Sequence, residues 1–393
     1  MPWPFSRRPS VVVEHPSEDG VLFADRFAFR LYRELVHPDA LDNVFFSPCS
    51  VTFCLAMMYE GAIGETRQAI ATTLEISDLH EKARSIAVVQ LQKALHVTDS
   101  GVQLMIANSL WCNRQIAIRS DYLSRMGADF GATVESTDFS DKHTVQRINK
   151  WVREKTHNKI DGIINEISPL ALLVALNAIY FKGAWANPFD LSLTNDRWFA
   201  PAEGPKKQVP MMSQYGRFRY LERRKFQAVV LPYNERRTSM YVFLPAPRQT
   251  LADFERLLTS GEWQEWMSGF EDVKGVVRLP RFNVSFSAYL NGALTNMGMG
   301  IAFDQKRARF DHICPPPPES WIDLVLHRAV AEVNEEGTEA AAVTMVGVTL
   351  ACAMRPRPER TFEMNVDRPF FFAIRDEQTG ALLFLGRVTD PTR

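Results

Sequence analysis

The chain has 393 residues, a formal net charge of -1, 46% hydrophobic residues and 23% charged ones. This composition can bury a large core and offers nothing to a nucleic acid or an anionic membrane. No run of about 20 apolar residues occurs, so no helix is expected to span a bilayer.

Length alone suggests two or three domains. Yet after residue 20 there is no Gly/Ser linker, no block of like charge and no repeat. The expectation is a flexible, proline-containing segment over 1–20, then one large domain over 21–393. The five cysteines, Cys49, Cys54, Cys112, Cys314 and Cys352, are odd in number and form no CxxC pair. That argues against a zinc site or a disulfide framework. The first residues lack the apolar stretch of a secretory signal, which on its own points to the cytoplasm.

Phe23, Phe27, Leu31 and Leu35 recur every four residues and predict a helix. Asn43 to Phe46 reads as a short strand. Ser47 and Pro48 then suit the cap and first turn of a helix that runs to about Gly61. A strand is expected over 101–115, helices over 120–130 and 143–156, and a strand buried on both faces over 170–181. From 208 onward strands dominate: 226–232, 238–244, 275–287 and 321–334. A closing hairpin joins Phe370–Arg375 to Ala381–Val388. Helices early and strands late make the class α+β, with large, mostly antiparallel sheets.

No GxSxG, HExxH, GxxxxGK[ST] or GxGxxG motif is present. A hydrolase assembled from dispersed Ser, Cys and His residues is the least favoured reading.

Residues 335–355 are the unusual stretch. Gly337 permits a backbone hinge. Small and β-branched residues follow, and Arg355-Pro356-Arg357 leads back to water. With a period of two, one face is Thr338, Ala340, Ala342, Thr344, Val346 and Val348. That face carries no charge and no bulky group, and it can be buried between strands. On composition alone, an ordinary edge strand is an equal reading.

The block Val333-Asn334-Glu335-Glu336-Gly337-Thr338-Glu339-Ala340-Ala341-Ala342 resembles the hinge of inhibitory serpins. Further blocks are similar to that family in its order: Asn43 to Ser50, Asn177 to Phe189, Asp367 to Phe370 and Phe384 to Val388. The resemblance covers nearly the whole chain from residue 21. It implies the serpin fold, about nine helices around three mostly antiparallel β-sheets, with an exposed reactive-centre loop over about 337–362.

It also implies a suicide-substrate inhibitor of serine endopeptidases, not an enzyme. The hinge would be Glu335, Gly337, Thr338, Ala340, Ala341 and Ala342. The scissile bond would be Ala351–Cys352, with Leu350 and Met354 as rivals; Pro356 discounts a trypsin-like cut at Arg355. Such residues at the cut suit elastase-, subtilisin- or chymotrypsin-like serine proteases, and a cysteine protease stays on the list. Ser47, Ser50, Asn177 and His327 match the family's shutter. Trp185, Arg281 and Glu335 match its breach, where Arg281 and Glu335 would pair. Composition and cysteine spacing argue against a nucleic-acid, membrane or metal partner, a monomer with no cofactor is expected, and the resemblance allows an extracellular location. The alternative within the family is a non-inhibitory carrier or chaperone.

Overall fold

In the computed structural model of the chain, the residues described are 18–36, 41–95, 101–338 and 360–393. The first part is mostly helical: α1 (Glu18–Leu35), β1 (Val44–Phe46), α2 (Pro48–Gly61), α3 (Gly64–Thr73), α4 (Glu81–Leu95), β2 (Val102–Asn113), α5 (Ser120–Phe130), β3 (Thr133–Thr137) and α6 (Thr144–Lys155). Strands then take over: β4 (Leu173–Ala184), β5 (Asn195–Phe199), β6 (Lys207–Arg223), β7 (Phe226–Pro232) and β8 (Thr238–Pro245). After α7 (Leu251–Glu255) and α8 (Ser260–Ser268) come β9 (Glu271–Pro280), β10 (Phe282–Tyr289), α9 (Asn291–Leu294) and β11 (Ile322–Val333). The chain closes with β12 (Gly337–Thr338), β13 (Thr361–Asn365), β14 (Phe370–Asp376) and β15 (Leu382–Val388).

The cap expected at Ser47 is present. Its side chain accepts the Ser50 N–H, and Pro48 occupies the first turn, where a missing N–H costs nothing. Every residue of α2 is buried. An apolar surface on all sides is what a helix needs to run through a core.

One sheet has the order β10-β11-β4-β2-β3, with β12 also pairing β4. β4 is antiparallel to β2 and parallel to β11. Its residues alternate between two cores. Leu173, Ala175, Ile179 and Phe181 join the main cluster with α2. Val174, Leu176 and Ala178 join a smaller one with Ile148 and Val152 of α6. The unbroken apolar run follows from burial on both faces.

The remaining strands form a network ordered β1-β15-β14-β8-β7-β6-β9-β13, with β5 on β6. Its two parts meet in the 17-residue β6. Residues 220–223 of β6 pair β7, whereas 211–220 pair β9. Pairing through β6 thus joins nine strands into one network beside the six-stranded sheet.

Three expectations change. The strand over 275–287 is two strands, β9 and β10, in different sheets. The break falls at Arg281, whose N–H donates to the Pro210 carbonyl (2.9 Å). The segment 337–362 is not loop throughout: Gly337–Thr338 pairs with β4, and Thr361–Phe362 pairs with β9. The helix α1 begins at Glu18, inside the segment expected to be flexible. Cys49, Cys54, Cys112 and Cys314 are buried and free. Burial pushes the Cys54 thiol up to about 12.

Candidate functional site

β4 and β11 are paired in register from Leu173 and Ile322 to Tyr180 and Val330. Beyond Tyr180 they part. The end of β4 is then met by β12, with Gly337 opposite Ala184 and Thr338 opposite Gly183. A short antiparallel strand therefore already occupies the open end between two parallel neighbours.

The turn that delivers β12 is tight. Asn334 N–H donates to the Gly337 carbonyl (2.8 Å) and Gly337 N–H to the Asn334 carbonyl (3.3 Å). Gly337 has φ +136°, and a Cβ there would lie 2.1 Å from the Gly183 carbonyl oxygen. Only glycine fits this approach.

Glu335 points the other way, into protein, and is 4% exposed. Its carboxylate accepts from Arg281 Nε (2.7 and 2.8 Å) and from the Thr194 hydroxyl (2.5 Å). Burial pushes this carboxyl up, but the Arg281 and Thr194 hydrogen bonds outweigh it and hold it below its ordinary value. Trp185 stacks on Tyr233 (4.5 Å between centroids, 10°), and its indole N–H donates to the Asn334 carbonyl (2.9 Å). Trp185 N–H and Phe189 N–H donate to the carbonyls of Glu336 (3.0 Å) and Glu335 (2.8 Å). Trp185, Arg281 and Glu335, expected together at the breach, do meet around this turn. Thr194 and Tyr233 complete the group.

About halfway along the paired stretch lies a polar cluster inside the core. His327 and Asn177 face each other across β11 and β4. The Ser47 N–H donates to His327 Nε2 (3.3 Å). A backbone N–H can only donate, so Nε2 is the acceptor and Nδ1 carries the proton. Nδ1 then donates to Asn177 Oδ1. This turns the Asn177 amide nitrogen toward Ser50 Oγ, the Ser50 carbonyl (3.2 Å) and Asn108 Oδ1 (2.5 Å). Ser47, Ser50, Asn177 and His327 are thus one network. Asn108 of β2, which pairs Asn177 directly, belongs to it as well. Its only trace in the sequence is a polar side chain in an apolar strand.

The residues expected to be cut lie outside the described residues. These are Leu350, Ala351, Cys352 and Met354, along with Ala340, Ala341 and Ala342 of the hinge. The far side of the segment is fixed at Arg360, which pairs with Glu222 (3.2 Å) and Glu271 (3.3 Å).

Burial lowers the His327 imidazole from 6.5 to about 3, so it is neutral at pH 7. A base held neutral by folding stabilises the protein fully above pH 6.5, and this contribution is lost as pH falls toward 3. The stability cost of His327→Gln, measured by urea unfolding, should therefore shrink in acid. Between pH 7.5 and pH 5 the reduction should be roughly 2 kcal/mol. A cost that is constant or grows in acid would contradict the neutral buried imidazole.

The comparisons agree with this architecture. Residues 23–391 match the family model described as serpin (serine protease inhibitor). An uncharacterized serpin-like protein of Methanosarcina acetivorans is 33% identical, covering 93% of this chain and 86% of that one. A leukocyte elastase inhibitor of Xenopus tropicalis is 32% identical, with coverage of 93% and 97%. Among solved structures, the thermophilic serpin tengpin in its native state superposes with a TM-score of 0.86 at 26% identity, covering 96% of this chain and 95% of that one. Human thyroxine-binding globulin complexed with thyroxine gives 0.85 at 28% identity, covering 95% and 99%. By sequence over almost its full length, and by a sheet that opens where a glycine hinge enters it, this chain belongs to the serpin family.

Proposed function

We propose that the chain is a suicide-substrate inhibitor of serine endopeptidases with an apolar primary pocket. The protease serine attacks the carbonyl of Ala351, the Ala351–Cys352 peptide bond breaks to give an acyl-enzyme, and the Cys352 amine, which takes up the serine proton, becomes the N-terminus of the C-terminal piece. The freed strand then continues from β12 into the gap between β4 and β11 and carries the protease with it. The observation that carries this reading is the pairing of Gly337–Thr338 on β4 at the open end of a parallel strand pair. One antiparallel strand can pair both neighbours there.

Continuing the register from Thr338 opposite Gly183 sets Ala340 opposite Phe181, Ala342 opposite Ile179 and Thr344 opposite Asn177. Side chains directly opposite share a face. The uncharged face therefore meets the main core, beside Phe181, Ile179, Ala175 and Leu173. Glu339 falls opposite Lys182, an attractive cross-strand pair. Thr344 arrives level with both Asn177 and His327, whose direct hydrogen bond must break as the strands part. Its hydroxyl can donate to one and accept from the other. About 12 inserted residues give a strand of roughly 40 Å. On the order of ten new backbone hydrogen bonds at ~0.5–1.5 kcal/mol each then oppose a protease stable by ~5–15 kcal/mol.

The carrier reading draws support from the likeness to thyroxine-binding globulin, which binds thyroxine. The small residues after Gly337 weigh against it, since they favour insertion.

Mixed with an elastase- or subtilisin-type protease, the protein should give an SDS-stable band near the summed masses. Clean cleavage without that band, across a panel of apolar-preferring proteases, would remove the inhibitory reading. Thr338→Arg places an unpaired charge against the core, at a cost of several kcal/mol. The ratio of complex to cleaved inhibitor should fall steeply, and an unchanged ratio would mean a different register. Thr344→Val should lower the melting temperature of the loop-cleaved form and leave that of the intact form unchanged. Equal shifts in both would place Thr344 away from Asn177.

A further inference from the structure

The far end of the β4–β11 pair is closed by a side chain. Between Ile322, which pairs Leu173, and Leu324, which pairs Val174, β11 carries one extra residue, Asp323. A bulge leaves its extra residue without a ladder partner. Here the carboxylate substitutes for the ladder. Asp323 Oδ2 accepts the N–H groups of Leu172 (2.5 Å), just before β4, and of Leu173 (3.3 Å), its first residue. Oδ1 accepts the indole N–H of Trp321 (3.0 Å). The backbone on both sides of the bulge is tied to Asn291 of α9. Asn291 Nδ2 donates to the Asp323 carbonyl (2.9 Å), and Asn291 Oδ1 accepts the Val325 N–H (2.9 Å). On its other side the start of β4 is held to β2, where the Asn113 N–H donates to the Leu172 carbonyl (2.8 Å).

β4 and β11 are thus stapled at this end by charge-assisted hydrogen bonds, which are stronger than those between neutral groups. The opposite end is already parted. The register that sets Thr344 opposite Asn177 brings Val348 opposite Leu173 and Thr349 opposite Leu172. A strand inserted that far occupies the space the carboxylate spans.

We propose that Asp323 is the clasp that must open for the last part of loop insertion, so that it sets how fast and how deeply the cut loop enters the sheet. This rests on the inhibitory reading above. Asp323 touches neither the protease nor the bond that is cut; it is a positioning residue, and it acts by stabilising the uninserted form alone. A residue of merely structural importance would support both forms equally.

The test compares intact and loop-cleaved protein, prepared by limited elastase digestion, for the wild type, Asp323→Ala and Asp323→Asn. Asp323→Ala should lower the melting temperature of the intact form by several degrees and leave the cleaved form unchanged. Loop insertion after cleavage should be followed by stopped-flow fluorescence. Its rate should rise by at least about tenfold, the factor expected from losing even one of these hydrogen bonds to a charged acceptor. Asp323→Asn keeps one acceptor oxygen and should fall between the two. If Asp323→Ala folds poorly, Trp321→Phe removes a donor to the same carboxylate and should shift both readouts the same way by less. Equal loss of stability in both forms, or an unchanged insertion rate, would overturn the clasp. A wild-type cleaved form that melts with the intact form would instead remove insertion itself, and the clasp with it.

Discussion

Everything in this molecule depends on two parallel strands lying side by side in a sheet of otherwise mostly antiparallel neighbours. β4 and β11 satisfy each other's backbone groups over eight paired positions of β11. Parallel pairing is slightly less stable per residue than antiparallel pairing. Replacing it with two antiparallel interfaces is therefore downhill, provided a strand of the right composition is available and the halves can separate. In the mechanism proposed above, the native state holds that exchange off by local interactions, not by a lack of driving force.

Those interactions divide the length of the interface. At one end the turn at Glu335–Glu336 is locked by the Arg281–Glu335–Thr194 group and by Trp185. Partway along, His327 and Asn177 bridge the two strands, tied to α2 through Ser47 and Ser50. At the other end Asp323 bridges them again. Each is a buried or partly buried polar contact between elements that the proposed insertion would move apart. Such contacts hold a specific geometry firmly, yet they can be exchanged for new partners at modest net cost.

Much of the frame was legible because local chemistry dictates it. Ser47-Pro48 marks a helix start wherever it is placed, and the doubly apolar run around Asn177 needs a strand covered on both sides. The hinge was legible as a resemblance, and its physical reason lies in the fold: Gly337 passes a carbonyl oxygen too closely for any side chain. Other features had no local signal. The alternation through 275–287 runs straight across Arg281, and only tertiary pairing reveals that the chain changes sheet there. β6 carries Gly216 and four basic residues, so it does not read as the longest strand. Asn108, Thr194, Tyr233 and Asp323 matter through partners far away in sequence. Asp323 in particular depends on a bulge, which is a property of register and not of composition.

The position of the C-terminal hairpin has a further consequence. A cut between 350 and 354 divides the chain into a large piece and a short one that contains β13, β14 and β15. Phe371, Phe372 and Phe384 of the short piece are among the most deeply buried side chains. β14 and β15 sit between β1 and β8 inside the sheet, and Arg237 holds the turn between them through Asp376 (2.7 Å). The short piece therefore cannot diffuse away without taking the core apart. In native solution the severed protein stays one particle, two chains folded as one. The break shows only when a denaturant dissolves the core that both pieces share.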